Sequence, residues 1–258
     1  MAKGAGPGEY LYPLDLACNG ARVAVADPGN QRIHFLTLDL EHDSQFNLPG
    51  MSSSGMAYVR DQIFLVNTGY ASDSLVTVFD ESGEKVFEFG MPVPLVASGG
   101  PRDLNDGVLR VQGDRLIYLS LFYPVVREYS LAGLLLQETD LSLQSDYLKR
   151  ARANLGLKRL GSNPTAVPSR YVFRGLAPTE DYLFVGVYEP GRLVVDRLDR
   201  ATGEHLARYA DKAGETVRST YIWDMWVFDD REDVAGEVLW ILVTSPTPSL
   251  REWTFGDH

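Results

Sequence analysis

The chain has 258 residues, 45% hydrophobic and 11% aromatic, with a formal net charge of -11 from 24 basic and 35 acidic side chains. That length buries a sizeable core in one all-β unit, and the charge excludes nucleic acid as a partner unless the basic residues gather on one face. No apolar run approaches the roughly 20 residues of a membrane span, the opening MAKGAGPGEY lacks the apolar segment of a secretory signal, and a single cysteine, Cys18, excludes an internal disulfide or a cysteine metal cluster.

Residues 6–39 read as strand, turn, strand, turn, strand. A Gly/Pro opening leads to a short apolar run around Leu14, Leu16 and Ala17, a turn at Asn19-Gly20, and the run 23–26. A tight Asp27-Pro28-Gly29-Asn30 turn and the alternating run 33–38 follow. Cys18 falls within the first apolar pattern and is expected to be a buried, inert thiol. The Asp27 to Asn30 turn closes a hairpin by its own chemistry, so it is expected to be structural rather than a calcium loop.

The pattern then recurs. The second unit offers runs 55–59, 63–66, 75–79 and 86–89, the last two joined by the hairpin signal Glu81-Ser82-Gly83-Glu84. The third offers 108–111, 116–119, 126–129 and 134–137, and the fourth 172–176, 182–187, 193–198 and 205–209. The fifth has 222–228, 238–243 and 250–255, with no fourth run before His258. Residues 141–170 break the period: Tyr147, Leu148, Ala151 and Leu155 stand near helical spacing, Ser145 or Asp146 can cap, and Gly156 can end the segment. A partly helical insertion outside the repeats is expected there, either a solvated cover on one rim or a docking or lid element.

Short runs rich in Val, Ile, Leu, Phe and Tyr and cut by glycines suit strands rather than helices. Four strands per unit, repeated about an axis, is the β-propeller pattern. The expectation is therefore a single all-β propeller domain over 1–258, with five blades visible and the last incomplete.

The wording of the first unit, Gly6-Pro7-Gly8, Pro13, Val25-Ala26-Asp27 and Gly29-Asn30-Gln31-Arg32-Ile33, resembles the NHL repeat. The match is specific here and looser in later units. The resemblance implies a six-bladed parent whose missing outer strand lay upstream or is improvised by the first residues, with five blades as the alternative. It also implies an exported bacterial protein. It identifies architecture, because many unrelated functions use such a fold.

Propeller sites sit at the mouth of the central channel, lined by first strands and the loops entering them. The polar residues in those positions are Asp15 in unit one, and Asp103 and Asn105, beside Arg102 and Asp106, before unit three. Arg170 and Arg174 flank the first strand of unit four, and Tyr221, Asp224 and Trp226 lie in unit five. Each has a structural explanation, since Asp and Asn make turns and an inner Arg can pair with an Asp. A Trp beside a carboxylate also suits a sugar or a cationic ligand.

No serine nucleophile elbow or P-loop is present. The four histidines, His34, His42, His205 and His258, do not make the zinc set of an amidating lyase. The reading from sequence is a non-catalytic module that binds a protein, small molecule or carbohydrate at its channel face, without a cofactor. The alternative is a channel-sited hydrolase or lyase of the gluconolactonase-like type, in which Asp15, Asp103, Asn105 and Asp224 would imitate a calcium ligand set.

Overall fold

In the lead-in, Gly and Pro keep residues 4–8 out of regular structure, and two short strands flank them: β1 (Ala2–Lys3) pairs in parallel with β2 (Glu9–Tyr10). Every later strand of the computed structural model belongs to a meander that follows chain order. The structure describes residues 2–51, 55–68, 73–92, 105–121, 123–141, 173–189, 192–210, 221–228, 238–244 and 248–254, and none of them is α-helical. The expected insertion at 141–170 lies outside the described residues apart from Leu141.

The first sheet is β3 (Asp15–Cys18), β4 (Arg22–Asp27), β5 (Arg32–Thr37) and β6 (His42–Asn47). The second is β7 (Met56–Val59), β8 (Gln62–Val66), β9 (Val76–Asp80) and β10 (Lys85–Phe89), and the third β11 (Gly107–Gln112), β12 (Arg115–Ser120), β13 (Val125–Ser130) and β14 (Leu135–Asp140). The fourth is β15 (Phe173–Pro178), β16 (Tyr182–Glu189), β17 (Arg192–Asp199) and β18 (His205–Ala210). A three-stranded sheet ends the series: β19 (Tyr221–Phe228), β20 (Val238–Thr244) and β21 (Pro248–Thr254). Each strand pairs with its chain neighbours, as in the blades of a β-propeller. The chain divides into two compact units, Met1–Leu116 with Tyr129–Leu136, and Ile117–Glu128 with Gln137–His258.

β6 is a strand that hydrophobic patterning does not reveal. His42-Asp43-Ser44-Gln45-Phe46-Asn47 is polar except for Phe46, because an outermost strand needs only one anchor in the core. Phe46 supplies it, packing with Ala24, Ala26, Ile33 and Phe35 of its own sheet against Met56, Tyr58, Ile63 and Leu65 of the second. Further aromatic contacts extend the interior of the same unit: Phe89 meets Phe64 at 6.5 Å and Tyr129 at 5.1 Å between ring centroids.

Strand alternation corrects the expectation for Cys18. Ala17 packs against the cluster shared with the second sheet, so Leu16 and Cys18, one residue to either side, turn to the opposite face and are exposed.

The turn between the third and fourth strands recurs with one exception. Gly83 (φ 86°), Gly133 (φ 84°) and Gly203 (φ 73°) take the left-handed position that this connection requires. In the first sheet Leu40 holds it, at φ 63°, and its N–H reaches the Thr37 carbonyl just as that of Gly83 reaches Asp80. A left-handed Cβ costs about 1–2 kcal/mol, and the Leu40 side chain, 62% exposed, recovers little of that by packing. Leu40→Gly is expected to stabilise the protein by about 1 kcal/mol after the glycine's own entropic cost. Urea unfolding checks it, and an unchanged or lower midpoint would show that the turn is not strained.

Candidate functional site

In the first unit the first strands lie side by side: β3 against β7, and β7 against β11. Asp15 helps to join the first pair. Its Oδ2 accepts the Met56 N–H of β7 at 2.8 Å, and its Oδ1 accepts the N–H of Leu16 at 2.8 Å. The second pair approaches closely, since a Cβ on Gly55 would run into the carbonyl oxygen of Gly107. Asn105 and its neighbour Asp106 lie just before β11 and are buried. The structure thus places Asp15 on β3 and Asn105 just before β11 in one unit, with β7 between the two strands, both in half-buried or buried positions rather than on an open surface.

In the second unit β15 lies against β19. Arg174 is on β15, and Tyr221, Asp224 and Trp226 are on β19. A bulge between Ile222 and Asp224 resets the alternation, after which Asp224 pairs with Leu242 and Trp226 with Trp240, two residues apart on one face of the backbone. The side chains of Arg174, Tyr221, Asp224 and Trp226, and the whole of Asp103 and Arg170, lie outside the described residues. Among the described residues no three His, Cys, Asp or Glu side chains are grouped to hold a metal ion.

The most elaborate polar arrangement in the first unit is one that a search for channel residues misses. Asp27 is fully buried and accepts the N–H of Tyr12 at 2.9 Å, the N–H of Leu11 at 3.3 Å and Asn30 Nδ2 at 2.6 Å. Arg32 spreads its guanidinium over the lead-in: Nη1 donates to the Ala5 carbonyl at 2.9 Å, and Nη2 to those of Gly6 at 3.0 Å and Glu9 at 2.8 Å. The turn at Asp27 to Asn30 therefore closes its hairpin, as its chemistry led one to expect, and beyond that expectation it holds the lead-in. Gly29 is needed there because a Cβ would meet the backbone of Tyr12 at 2.8 Å.

Beside this clamp sits His34, fully buried, its ring 4.9 Å from that of Tyr10 and 5.6 Å from that of the exposed His42. Both His34 ring nitrogens, Tyr10 Oη and Arg32 Nε are buried with no hydrogen-bond partner. Burial, reinforced by the Arg32 and His42 charges, pushes the imidazole down to about 4. A signal for this cluster existed in the sequence: a His and an Arg two residues apart on one face of an otherwise apolar strand.

A second polar cluster ties the first two sheets together. Arg22 bonds Asp43 at 2.9 Å and also pairs with Glu81, which in turn accepts the Tyr58 hydroxyl. Burial and that bond push the phenol up to about 12.

No family model and no curated protein matches this sequence. Solved structures do resemble its fold. A protein of Bacteroides fragilis described as exported superposes with a TM-score of 0.55 at 17% identity, over 81% of this chain and 60% of that one. The chain thus spans about 60% of that protein's length. A protein of unknown function from Bacteroides caccae gives 0.55 at 11% identity, covering 94% of this chain and 77% of the other. Hydrazine synthase of Kuenenia stuttgartiensis gives 0.51 at 11% identity, over 100% and 68%. At these identities the likeness is one of fold.

Proposed function

We propose that the protein is a non-catalytic, NHL-like propeller module that binds a protein, carbohydrate or other small ligand through residues of its first strands. The supporting observation is the state of Asp15, the described carboxylate of the candidate set. Its Oδ2 accepts the Met56 N–H and so ties β3 to β7, and its Oδ1 accepts the N–H of its own neighbour Leu16, both at 2.8 Å. A calcium-dependent hydrolase would need such carboxylates turned toward a shared ion. The binding surface in this reading is built by Arg174, Tyr221, Asp224 and Trp226, where cation, carboxylate and indole on adjoining strands suit a polar ring or a cationic ligand. Arg170, three positions before β15 in the sequence, adds a further positive charge to this set. An extracytoplasmic location belongs to the reading, supported by the exported Bacteroides fragilis protein of like fold.

Calorimetric titration of the purified protein with calcium tests the proposal. No saturable heat is expected. Tight binding that Asp224→Ala abolishes would overturn it in favour of the calcium-dependent hydrolase or lyase.

A further inference from the structure

We propose that His34 is the sensor of an acid-sensitive latch: it holds residues 4–12 against the first sheet while neutral and releases them when protonated. The geometry is particular. On one face of β5, Arg32 grips the lead-in through the carbonyls of Ala5, Gly6 and Glu9. Two residues further on, His34 underlies the ring of Tyr10, which is 5% exposed and closes the small apolar cluster of Val25 and Leu36. Protonation would place a second cation beside the Arg32 guanidinium, under an aromatic lid. Neither ring nitrogen of His34 has an acceptor to receive the new N–H.

The charges around His34 favour release rather than compensation. From β2 it meets Tyr10, whose hydroxyl also lacks a partner; the neighbouring Glu9 carboxylate is turned to the N–H of Gly6. From β4 it faces Val25 in register, with Asp27 farther along the same face and already accepting from Tyr12 and Asn30. From β6 it faces Gln45 in register and the ring of His42, whose charge opposes a charge on His34, while Asp43 is bonded to Arg22. Lys3, paired with Tyr10 in register, adds an exposed positive charge. Among the described residues Asp27 is the anion whose charge acts on His34, and the N–H groups of Leu11 and Tyr12 and the Asn30 amide hold it elsewhere.

The sign follows from linkage. An imidazole held down to about 4 when latched and at the ordinary 6.5 when released favours the latched state fully above about 6.5 and loses that preference as pH falls toward about 4. Between pH 7.5 and pH 5 the open population should rise about 30-fold.

Hydrogen exchange of the intact protein reads this directly. The Leu11 and Tyr12 amides, which bond Asp27, should lose about 30-fold in protection factor between these pH values, while the amides of β8 keep theirs. The exposed variant His42→Gln should retain the effect and His34→Phe should abolish it, since phenylalanine fills the site without taking a proton. An equal loss in His34→Phe, no loss in the wild type, or a parallel loss in β8 would each overturn the latch. Should His34→Phe fail to fold, NMR titration of the wild-type protein decides the matter: a His34 imidazole titrating near 6.5 while Leu11 and Tyr12 stay protected refutes the proposal.

Discussion

Replacing Arg200 with alanine is expected to destabilise the protein by about 3–5 kcal/mol, the usual cost of breaking a buried ion pair from one side. Arg200 lies in the turn after β17 and reaches back to β13, where its Nε and Nη2 meet the two oxygens of Glu128 at 2.8 and 3.0 Å. Its Nη1 donates to the Thr179 carbonyl at 2.7 Å. The two side chains are 11% and 3% exposed, so water replaces little of what is lost. The planar fork matches the carboxylate in two bonds, and Arg200→Lys should recover only a small part of the stability. Urea unfolding followed by circular dichroism measures both variants, and Glu128→Ala with the double variant isolates the coupling between the partners. A loss below about 1 kcal/mol for Arg200→Ala is the behaviour of an exposed pair and would contradict the burial described here.

The strands of this protein were legible because each middle strand is a short, nearly continuous apolar run between turn residues. Residues 63–66 and 182–187, for example, sit within one or two positions of β8 and β16. What escaped obeys a different rule. β6 is an edge strand whose backbone pairing, rather than its side chains, places it in the sheet. Cys18 is exposed against expectation because an apolar run in a two-faced strand says which residues are apolar and not which face is covered.

The candidate site was less legible, and the reason is again physical. Polar residues in first strands suit ligands and backbone alike, and only geometry separates the two. Asp15 turned out to hold β7 through the N–H of Met56. Glu128 and Arg200 could not have been paired from sequence, since 72 positions separate them. The motif residues Asp27, Asn30 and Arg32 were conspicuous as wording, yet their task of binding the protein's own lead-in becomes visible only when the partners are carbonyls rather than side chains.

That task makes Arg32→Ala the second large effect, about 3 kcal/mol of lost stability with a local signature. Arg32 is 5% exposed and makes four hydrogen bonds, to the carbonyls of Ala5, Gly6 and Glu9 and to Gln45. Its removal takes a donor from each of those three carbonyls, of which that of Gly6 keeps the N–H of Glu9, and takes the cation from beside buried Asp27, 3.8 Å away. Asp27 keeps its bonds from Tyr12 and Asn30, so the carboxylate remains satisfied in part and the cost stays below that of an isolated buried charge. Loss should concentrate where the carbonyls are: residues 4–12 should become susceptible to limited proteolysis at neutral pH under conditions in which the rest of the first unit resists. Arg32→Lys should resemble the alanine variant, because an ammonium cannot reach three carbonyls spread along the lead-in. A lowered urea midpoint with an undiminished resistance of residues 4–12 would mean that Arg32 supports the sheet itself and that the lead-in is held by Tyr10 and Asp27.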